Sequence, residues 1–230
     1  MIKDAYKPRI IDNRIEQFLE SFGAVCIEGP KWCGKTWTSS YHSNSEIYMG
    51  DPAGNFQNRT LAQMSPDLVL NGDKPRLIDE WQEVPPLWDA VRYKVDQTGE
   101  KGQFILTGSA TPNHKGIMHS GAGRIARIKM HPMSLYESGD SSGEISLELC
   151  NDNIIPVMTG EVNLQNLIKY IIRGGWPGNI DIPVEQAALL PIQYIDAIID
   201  DDVYRMDGVK RNKEKMKLLL RSLARNEATT

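Results

Sequence analysis

A phosphate-binding octapeptide is the part of this chain whose residue types and spacing support the most definite chemistry. Residues 29–36 read Gly-Pro-Lys-Trp-Cys-Gly-Lys-Thr and fit the pattern GxxxxGK[ST]. In that pattern backbone N–H groups surround nucleotide phosphates, the lysine contacts the β- and γ-phosphates, and the hydroxyl binds Mg²⁺. The sequence therefore predicts that ATP and Mg²⁺ are bound by this loop and the residue after it: Gly29, Pro30, Lys31, Trp32, Cys33, Gly34, Lys35, Thr36 and Trp37.

Two acids at the end of an apolar run form the second candidate feature. The segment Arg76-Leu-Ile-Asp79-Glu80 has the pattern of a Walker B strand. We expect Asp79 to serve the metal ion, directly or through a water, and Glu80 to accept a proton from an attacking water. Adjacent acids also occur at ordinary strand ends, and the upstream octapeptide is what favours the catalytic interpretation.

A hydroxyl and a guanidinium would complete a hydrolytic site. The run Phe104-Ile-Leu-Thr107 ends in a hydroxyl, and we predict that Thr107, with Ser109 as the next choice, orients the attacking water. Arg124 is the candidate for stabilising the negative charge of phosphoryl transfer, in its own subunit or a neighbour's. Arg127 is a weaker candidate, and a solvated or ion-paired role for Arg124 stays open.

A glycine-rich segment, Arg173-Gly-Gly-Trp-Pro177, is the last candidate. Two glycines before an aromatic residue and a proline favour a special backbone turn that can approach a ligand closely. We predict that Trp176 and Pro177 contact the nucleotide. A turn that only connects two helices would use the same residues.

The elements that must position these residues alternate between strands and helices. Apolar runs predict strands near 24–27, 46–49, 76–78, 103–106 and 124–130, and helical spacing predicts helices near 11–23, 58–64 and 85–97. Parallel strands require crossover connections, so this alternation predicts an α/β three-layer sandwich with a parallel sheet. We place a P-loop ATPase domain at residues 1–140. A small helical lid follows at 160–230, with helices near 164–172, 184–202 and 210–225.

Composition excludes several other classes of protein. The 230 residues are 40% hydrophobic and 24% charged with a net charge of −4, which argues against a generally basic nucleic-acid binder. No apolar stretch is long enough to span a bilayer, and the N-terminus has no signal-peptide pattern. Three cysteines at unrelated positions favour a reducing, cytoplasmic compartment, and the four histidines show no zinc-ligand pairing.

Basic residues concentrate between positions 205 and 225, after an acidic cluster between 196 and 202. A basic helix face can follow DNA phosphates. The same residues could instead be solvated or pair with the acidic cluster, so DNA contact stays an alternative.

The order of the motifs resembles a known family. The chain resembles predicted AAA-type P-loop ATPases of bacteria and archaea, related to the archaeal ATPase and STAND groups. The segments that carry this resemblance are, in order, Ile27–Thr36, Leu77–Pro85, Phe104–Ser109, Gly123-Arg124, Pro132–Glu137 and Gly174–Pro177. This resemblance implies that Lys35 and Thr36 bind phosphate and Mg²⁺, that Asp79 serves the metal, and that Glu80 and Thr107 act on the water. It also implies that Gly175-Trp-Pro177 corresponds to a GxP turn near the adenine.

Members of that family continue into a C-terminal domain of unknown function. From the resemblance we expect this domain to be missing here, together with its DNA or protein partner sites, and we expect self-association through the ATPase domain. The predicted function is Mg²⁺-dependent ATP hydrolysis that drives a conformational change. The alternatives are a nucleotide-dependent switch with negligible turnover, a DNA-associated ATPase and, more weakly, a small-molecule kinase.

Overall fold

A five-stranded parallel sheet lies at the centre of the chain. The computed structural model describes residues 5–109, 116–145, 162–204, 208–209 and 211–227. The strands are β1 (Ala24–Gly29), β2 (Ser45–Tyr48), β3 (Arg76–Asp79), β4 (Phe104–Ser109) and β5 (Ile125–Lys129). They lie in the order β2-β3-β4-β1-β5, and each neighbouring pair is parallel. The predicted α/β fold with a parallel sheet is therefore confirmed.

Helices precede β1 and connect the first four strands. They are α1 (Asp12–Ser21), α2 (Lys35–Tyr41), α3 (Ala53–Met64), α4 (Pro66–Leu70) and α5 (Pro86–Thr98), with a short 3₁₀ turn at Trp81–Glu83. Residues at both ends of helix α5 explain where it begins and ends. Proline occupies its first position, where no N–H is needed, and Gly99 ends it with φ at 67°.

Side chains from alternating strand positions build a core on each face of the sheet. On one face Cys26, Ile78 and Leu106 pack with the buried aromatic rings of Trp81 and Trp88. On the other face the neighbouring strand residues pack against α1, in a cluster that includes Val25, Ile27, Leu77, Ile105 and Ile15. Burial on both faces explains why β1 and β4 begin as continuous apolar runs, whereas β5, at the edge of the sheet, carries exposed basic residues at Arg127 and Lys129.

The carboxyl ends of the parallel strands share one edge of the sheet. Strand β4 lies between β1 and β3, so the segments after β1, β3 and β4 are neighbours there. Ligands of open α/β sheets bind at this edge. The topology therefore brings the octapeptide, Asp79 and Thr107 to one place.

The described residues form two compact units. The first contains the sheet and also Gly175–Gly178, and the second contains residues 162–174 and those after Gly178. The glycine-rich turn thus belongs with the sheet and not with the helices that flank it in sequence.

The second unit is helical. Its helices are α6 (Leu164–Arg173), α7 (Val184–Ala187), α8 (Leu189–Ala197) and α9 (Lys213–Asn226), with a π-helical turn at Ile198–Asp202. A 3₁₀ turn at Pro177–Asn179 begins in the first unit and ends at the first residue where the second unit resumes. Side chains of Asn163 and Asn212 cap α6 and α9 by accepting hydrogen bonds from backbone N–H groups.

The single helix that we predicted over 184–202 is interrupted after Ala187. Pro191 has no N–H to donate to the Ala187 carbonyl, which lies four residues earlier. Asn179 supplies a donor in place of the missing N–H, because its side-chain amide donates a hydrogen bond to the Ala187 carbonyl at 3.2 Å. The interruption therefore has a local chemical cause.

Ion pairs join the acidic and basic segments of this unit. Lys213 lies 2.5 Å from Asp200, and Lys217 lies 3.1 Å from Asp196, measured between nitrogen and oxygen atoms. These pairs support the interpretation of the basic run as a partner of the acidic cluster. Within the described residues, no helix is both long enough and apolar enough to cross a membrane.

Candidate nucleotide site

The octapeptide forms a compact loop after β1. Lys35 is buried, and its ammonium group donates to the carbonyls of Gly29 and Pro30 at 3.1 and 3.0 Å. Gly34 has φ at 102°, a left-handed conformation that glycine adopts readily. The loop thus holds its lysine against its own backbone, close to where phosphate oxygens would take over these hydrogen bonds.

The other residues of the octapeptide differ in exposure. Trp32 also has a positive φ, and its side chain is exposed, as is that of Trp37. Cys33 is fully buried, and burial raises the pKa of its thiol. A buried thiol with a raised pKa is a poor nucleophile, so Cys33 has a packing role.

Asp79 lies at the end of β3 and faces the loop. Its carboxylate accepts hydrogen bonds from the hydroxyls of Thr107, at 2.8 Å, and Thr36. Burial raises the pKa of Asp79, while these two hydrogen bonds and the nearby Lys35 ammonium oppose that rise. The two predicted metal-binding residues, Thr36 and Asp79, are therefore direct neighbours.

Hydroxyl and carboxylate oxygens of this kind suit Mg²⁺. This ion prefers hard oxygen ligands and is usually held by one or two protein groups together with water and phosphate. In the part of the chain that is described, no group of three His, Cys, Asp or Glu residues could hold a metal alone. The donor set fits an ion that is shared with a nucleotide.

Thr107 connects the two acids. Its fully buried hydroxyl donates to Asp79 and accepts a hydrogen bond from the backbone N–H of Glu80 at 2.9 Å. In this arrangement both hydrogen-bonding roles of the hydroxyl are used within the protein. The geometry makes Thr107 a residue that positions Asp79 and Glu80. The side chain of Ser109 lies outside the described part of the chain.

Glu80 occupies a constrained position directly after β3. It has φ at 55° and ψ at 49°, a left-handed conformation that costs a non-glycine residue about 1 kcal/mol or more. Burial raises the pKa of its carboxyl group, and the side-chain amide of Gln82 opposes that rise by donating to it. A carboxylate with a raised pKa is a stronger base, as a proton acceptor requires.

Glu46 is a further acid near the site that the sequence did not single out. It lies on β2, beside β3, and accepts hydrogen bonds from the hydroxyls of Ser40 and Tyr48. Its negative charge contributes to raising the pKa of Asp79. The strand order is what brings it there, and that order is not visible in the spacing of residues.

Arg9 is a second site residue that was missed. Its buried guanidinium donates to the Cys33 carbonyl at 2.8 Å, to the His131 carbonyl at 2.8 Å, and to the Glu137 carboxylate at 2.9 Å. Pro-Arg before an amphipathic helix carries no motif that would have indicated this role. Only the fold brings these distant positions together.

The glycine-rich turn lies beside the loop. The N–H of Met133 donates to the Gly175 carbonyl at 2.7 Å. A β-carbon placed on Gly34 would lie 3.4 Å from the ring of Pro177. The structure therefore brings Pro177 next to the octapeptide, and nucleotide contact by Trp176 and Pro177 stays a prediction.

Arg124 is not brought to this edge. It precedes β5, and its carbonyl accepts a hydrogen bond from Ala24, the first residue of β1. The loop follows the other end of β1, about 16 Å away at the rise of a parallel strand. The Arg124 guanidinium instead pairs with Asp96 at 2.6 Å. A role within its own subunit is thus not supported, whereas a role in a neighbouring subunit stays a prediction.

Arg127 also points elsewhere. It lies 3.5 Å from the Glu28 carboxylate, with its guanidinium over the ring of Trp88. Within the described residues, neither arginine that we proposed from the sequence contacts the octapeptide.

Comparison with known proteins agrees with this geometry. A family model described as an AAA domain matches residues 21–139. A second model, a domain of unknown function (DUF8612), matches residues 164–230. Our expectation that the C-terminal domain of unknown function is missing was therefore wrong. Sequence spacing could not show that the helices after position 164 are such a domain.

Relatives have been found in two mycobacteria. The uncharacterized proteins Rv2008c of Mycobacterium tuberculosis and Mb2031c of Mycobacterium bovis are each 29% identical to this chain over 133 residues. The match covers 57% of this chain and 30% of each relative, so the chain spans less than a third of their length. Because the AAA domain model covers just over half of the chain and coincides with the sheet and its phosphate loop, this protein belongs to the AAA domain family of nucleotide-binding, ATPase-like domains.

Proposed function

We propose that this protein binds ATP with Mg²⁺ and hydrolyses it. The observation that carries the proposal is the connection of Asp79, Thr107 and Glu80 at the sheet edge beside Lys35 and Thr36. A metal-binding acid and a proton acceptor are held there by one hydroxyl, next to a phosphate loop. Simple phosphate binding has no need of this second acid.

Each residue has a definite role in the proposed reaction. Lys35 exchanges its bonds to the Gly29 and Pro30 carbonyls for bonds to phosphate oxygens. Thr36 and Asp79 would hold Mg²⁺, which when bound neutralises charge on the phosphate oxygens. The Glu80 carboxylate accepts a proton from water as the water oxygen bonds to the terminal phosphorus and the bond to ADP breaks.

A nucleotide-dependent switch with negligible turnover is the second candidate. The observation that favours it is the hydrogen bond from Gln82 to Glu80, which occupies the proposed proton acceptor. Hydrolysis would require this bond to be released or shared with water. A change of conformation in the second unit remains part of the proposal in either case.

Phosphate release by wild type, Lys35→Ala and Glu80→Gln tests the proposal. We expect wild type to release phosphate with Mg²⁺, Glu80→Gln to bind ATP but release at least 100-fold less, and Lys35→Ala to bind weakly. If wild type released phosphate no faster than Glu80→Gln, hydrolysis would be excluded and the nucleotide-dependent switch would be the remaining candidate. Unchanged ATP affinity of Lys35→Ala would overturn the phosphate-loop assignment.

A Gln82→Ala variant separates the two candidates further. If Gln82 restrains the proton acceptor, this variant releases phosphate faster than wild type. A parallel series with duplex DNA at low and high salt tests the DNA-associated alternative, because phosphate contacts weaken steeply with salt.

A further inference from the structure

We propose that Arg9 is a positioning residue that orients the phosphate loop through the Cys33 carbonyl, an inference that rests on the proposed nucleotide site. Its guanidinium reaches the loop from a segment about twenty residues earlier in the chain. The Arg9 side chain is only 4% exposed, and that of its partner Glu137 only 7%. A buried, fully bonded charge at this place points to a specific geometric task.

The planarity of the peptide bond explains how Arg9 can orient the loop. In a trans peptide the carbonyl of one residue and the N–H of the next point in opposite directions. The Cys33 carbonyl is bound to Arg9 at 2.8 Å, so the N–H of Gly34 is directed to the other side of the loop. Phosphate binding by such loops depends on consecutive N–H groups that converge on the ligand.

The position of Arg9 is itself fixed. Its third hydrogen bond, to the His131 carbonyl, attaches it to the segment after β5. Glu137 accepts hydrogen bonds from Arg9, from the Ile10 backbone and from both the backbone and the hydroxyl of Ser134. The guanidinium cannot shift without breaking several bonds at once, so it acts as a rigid anchor.

The same N-terminal segment also holds the helix after the loop. The Tyr6 hydroxyl donates to Asp12 at 2.7 Å and accepts a hydrogen bond from the hydroxyl of Thr38 of α2 at 3.2 Å. Asp12 in turn pairs with His42, just after α2, at 3.1 Å. Asp12 also accepts a hydrogen bond from the backbone N–H of Arg9 at 2.7 Å. Both sides of the phosphate loop are thus fixed relative to Arg9.

Measured ATP affinity and turnover of Arg9 variants test this inference. We expect Arg9→Gln to weaken ATP binding by about 10- to 100-fold, raising KM and leaving kcat within about threefold, because the site is misaligned before chemistry begins. Arg9→Lys keeps the charge but cannot reach both carbonyls and Glu137, so we expect it to rescue stability more than affinity. Arg14→Gln, on the exposed start of α1, is the matched control and should bind as wild type does.

A double variant, Arg9→Met with Glu137→Gln, answers the case in which the single variant does not fold. Replacing a buried pair by uncharged groups is often tolerated. The folded double variant should still bind ATP about tenfold or more weakly, as measured with a fluorescent ATP analogue. Wild-type affinity in any folded Arg9 variant would overturn the inference and leave the proposed function intact. Absence of ATP binding by wild type would overturn both.

Discussion

Replacement of Thr107 by valine tests the connection between the two acids most directly. Valine has nearly the shape of threonine but has no hydroxyl. The change removes the 2.8 Å bond to Asp79 and the 2.9 Å bond from the Glu80 N–H, in a place that is fully buried. Its effect on nucleotide-free protein should therefore come from lost hydrogen bonds and not from a cavity.

The size of the effect follows from the two bonds. A hydrogen bond to a charged group contributes about 1.5–3 kcal/mol, and a buried N–H left without a partner costs about 1–3 kcal/mol. The added methyl group recovers about 1 kcal/mol, and Asp79 keeps its bond from Thr36. We expect the free energy of unfolding to fall by about 2–4 kcal/mol, and Tm by about 6–12 °C.

Urea and thermal unfolding of Thr107→Val and Thr107→Ser, followed by circular dichroism without nucleotide, measure this. Serine keeps the hydroxyl and loses only a methyl group, so it should cost about 1 kcal/mol. If valine were as stable as wild type, or serine as damaging as valine, the hydroxyl would not be what holds the two acids. ATP turnover by the same two variants should show whether catalysis also depends on the hydroxyl, which serine keeps and valine lacks.

Three further outcomes are expected. Asp79→Asn should unfold at a higher temperature than wild type without nucleotide, because burial raises the pKa of Asp79 and disfavours its charged form. The same variant should lose Mg²⁺-dependent ATP binding. A lower Tm than that of wild type would contradict the first expectation. Burial alone would raise the pKa of Glu137, but hydrogen bonds from Ser134, Ile10 and Arg9 lower it below its ordinary value of 4.5. The stability that Glu137 adds is present above that value and is lost as pH falls through the lowered pKa, so urea unfolding of Glu137→Gln should vary less below pH 4.5 than that of wild type. Gly175→Ala should lower Tm, whereas Gly178→Ala should not, since a β-carbon at Gly175 would lie 2.4 Å from the Met133 carbonyl and one at Gly178 meets nothing within 4 Å.

The sequence predicted the sheet and the centre of the site because both depend on local patterns. The octapeptide and the Asp79-Glu80 pair are contiguous motifs, and parallel strands bring their carboxyl ends to one edge whatever the strand order is. Thr107 was selected for a similar reason, as a hydroxyl at the end of an apolar run, and its proposed role in orienting the attacking water stays a prediction. Its observed bonding to both acids depends on β4 lying between β1 and β3, which spacing alone does not determine.

The remaining features depend on contacts between distant segments. Arg9 meets Cys33 and Glu137 only after the fold is complete, so no window of sequence shows the three together. Arg124 was assigned to the site from its residue type, although a residue that precedes a parallel strand lies at the opposite edge. The direction of the strand thus argues against a role for Arg124 within its own subunit, and a role in a neighbouring subunit stays a prediction.

The strand order also determines when the phosphate loop can form as the chain leaves the ribosome. Ala24 of β1 pairs with Phe104 on one side and with Ile125 on the other, and with none of the strands synthesised between. Until those residues emerge, β1 is an apolar strand with two open edges, the kind of segment that aggregates or engages chaperones. Chains halted between residues 30 and 100 should therefore be insoluble without assistance, whereas chains that extend beyond residue 130 can close the sheet.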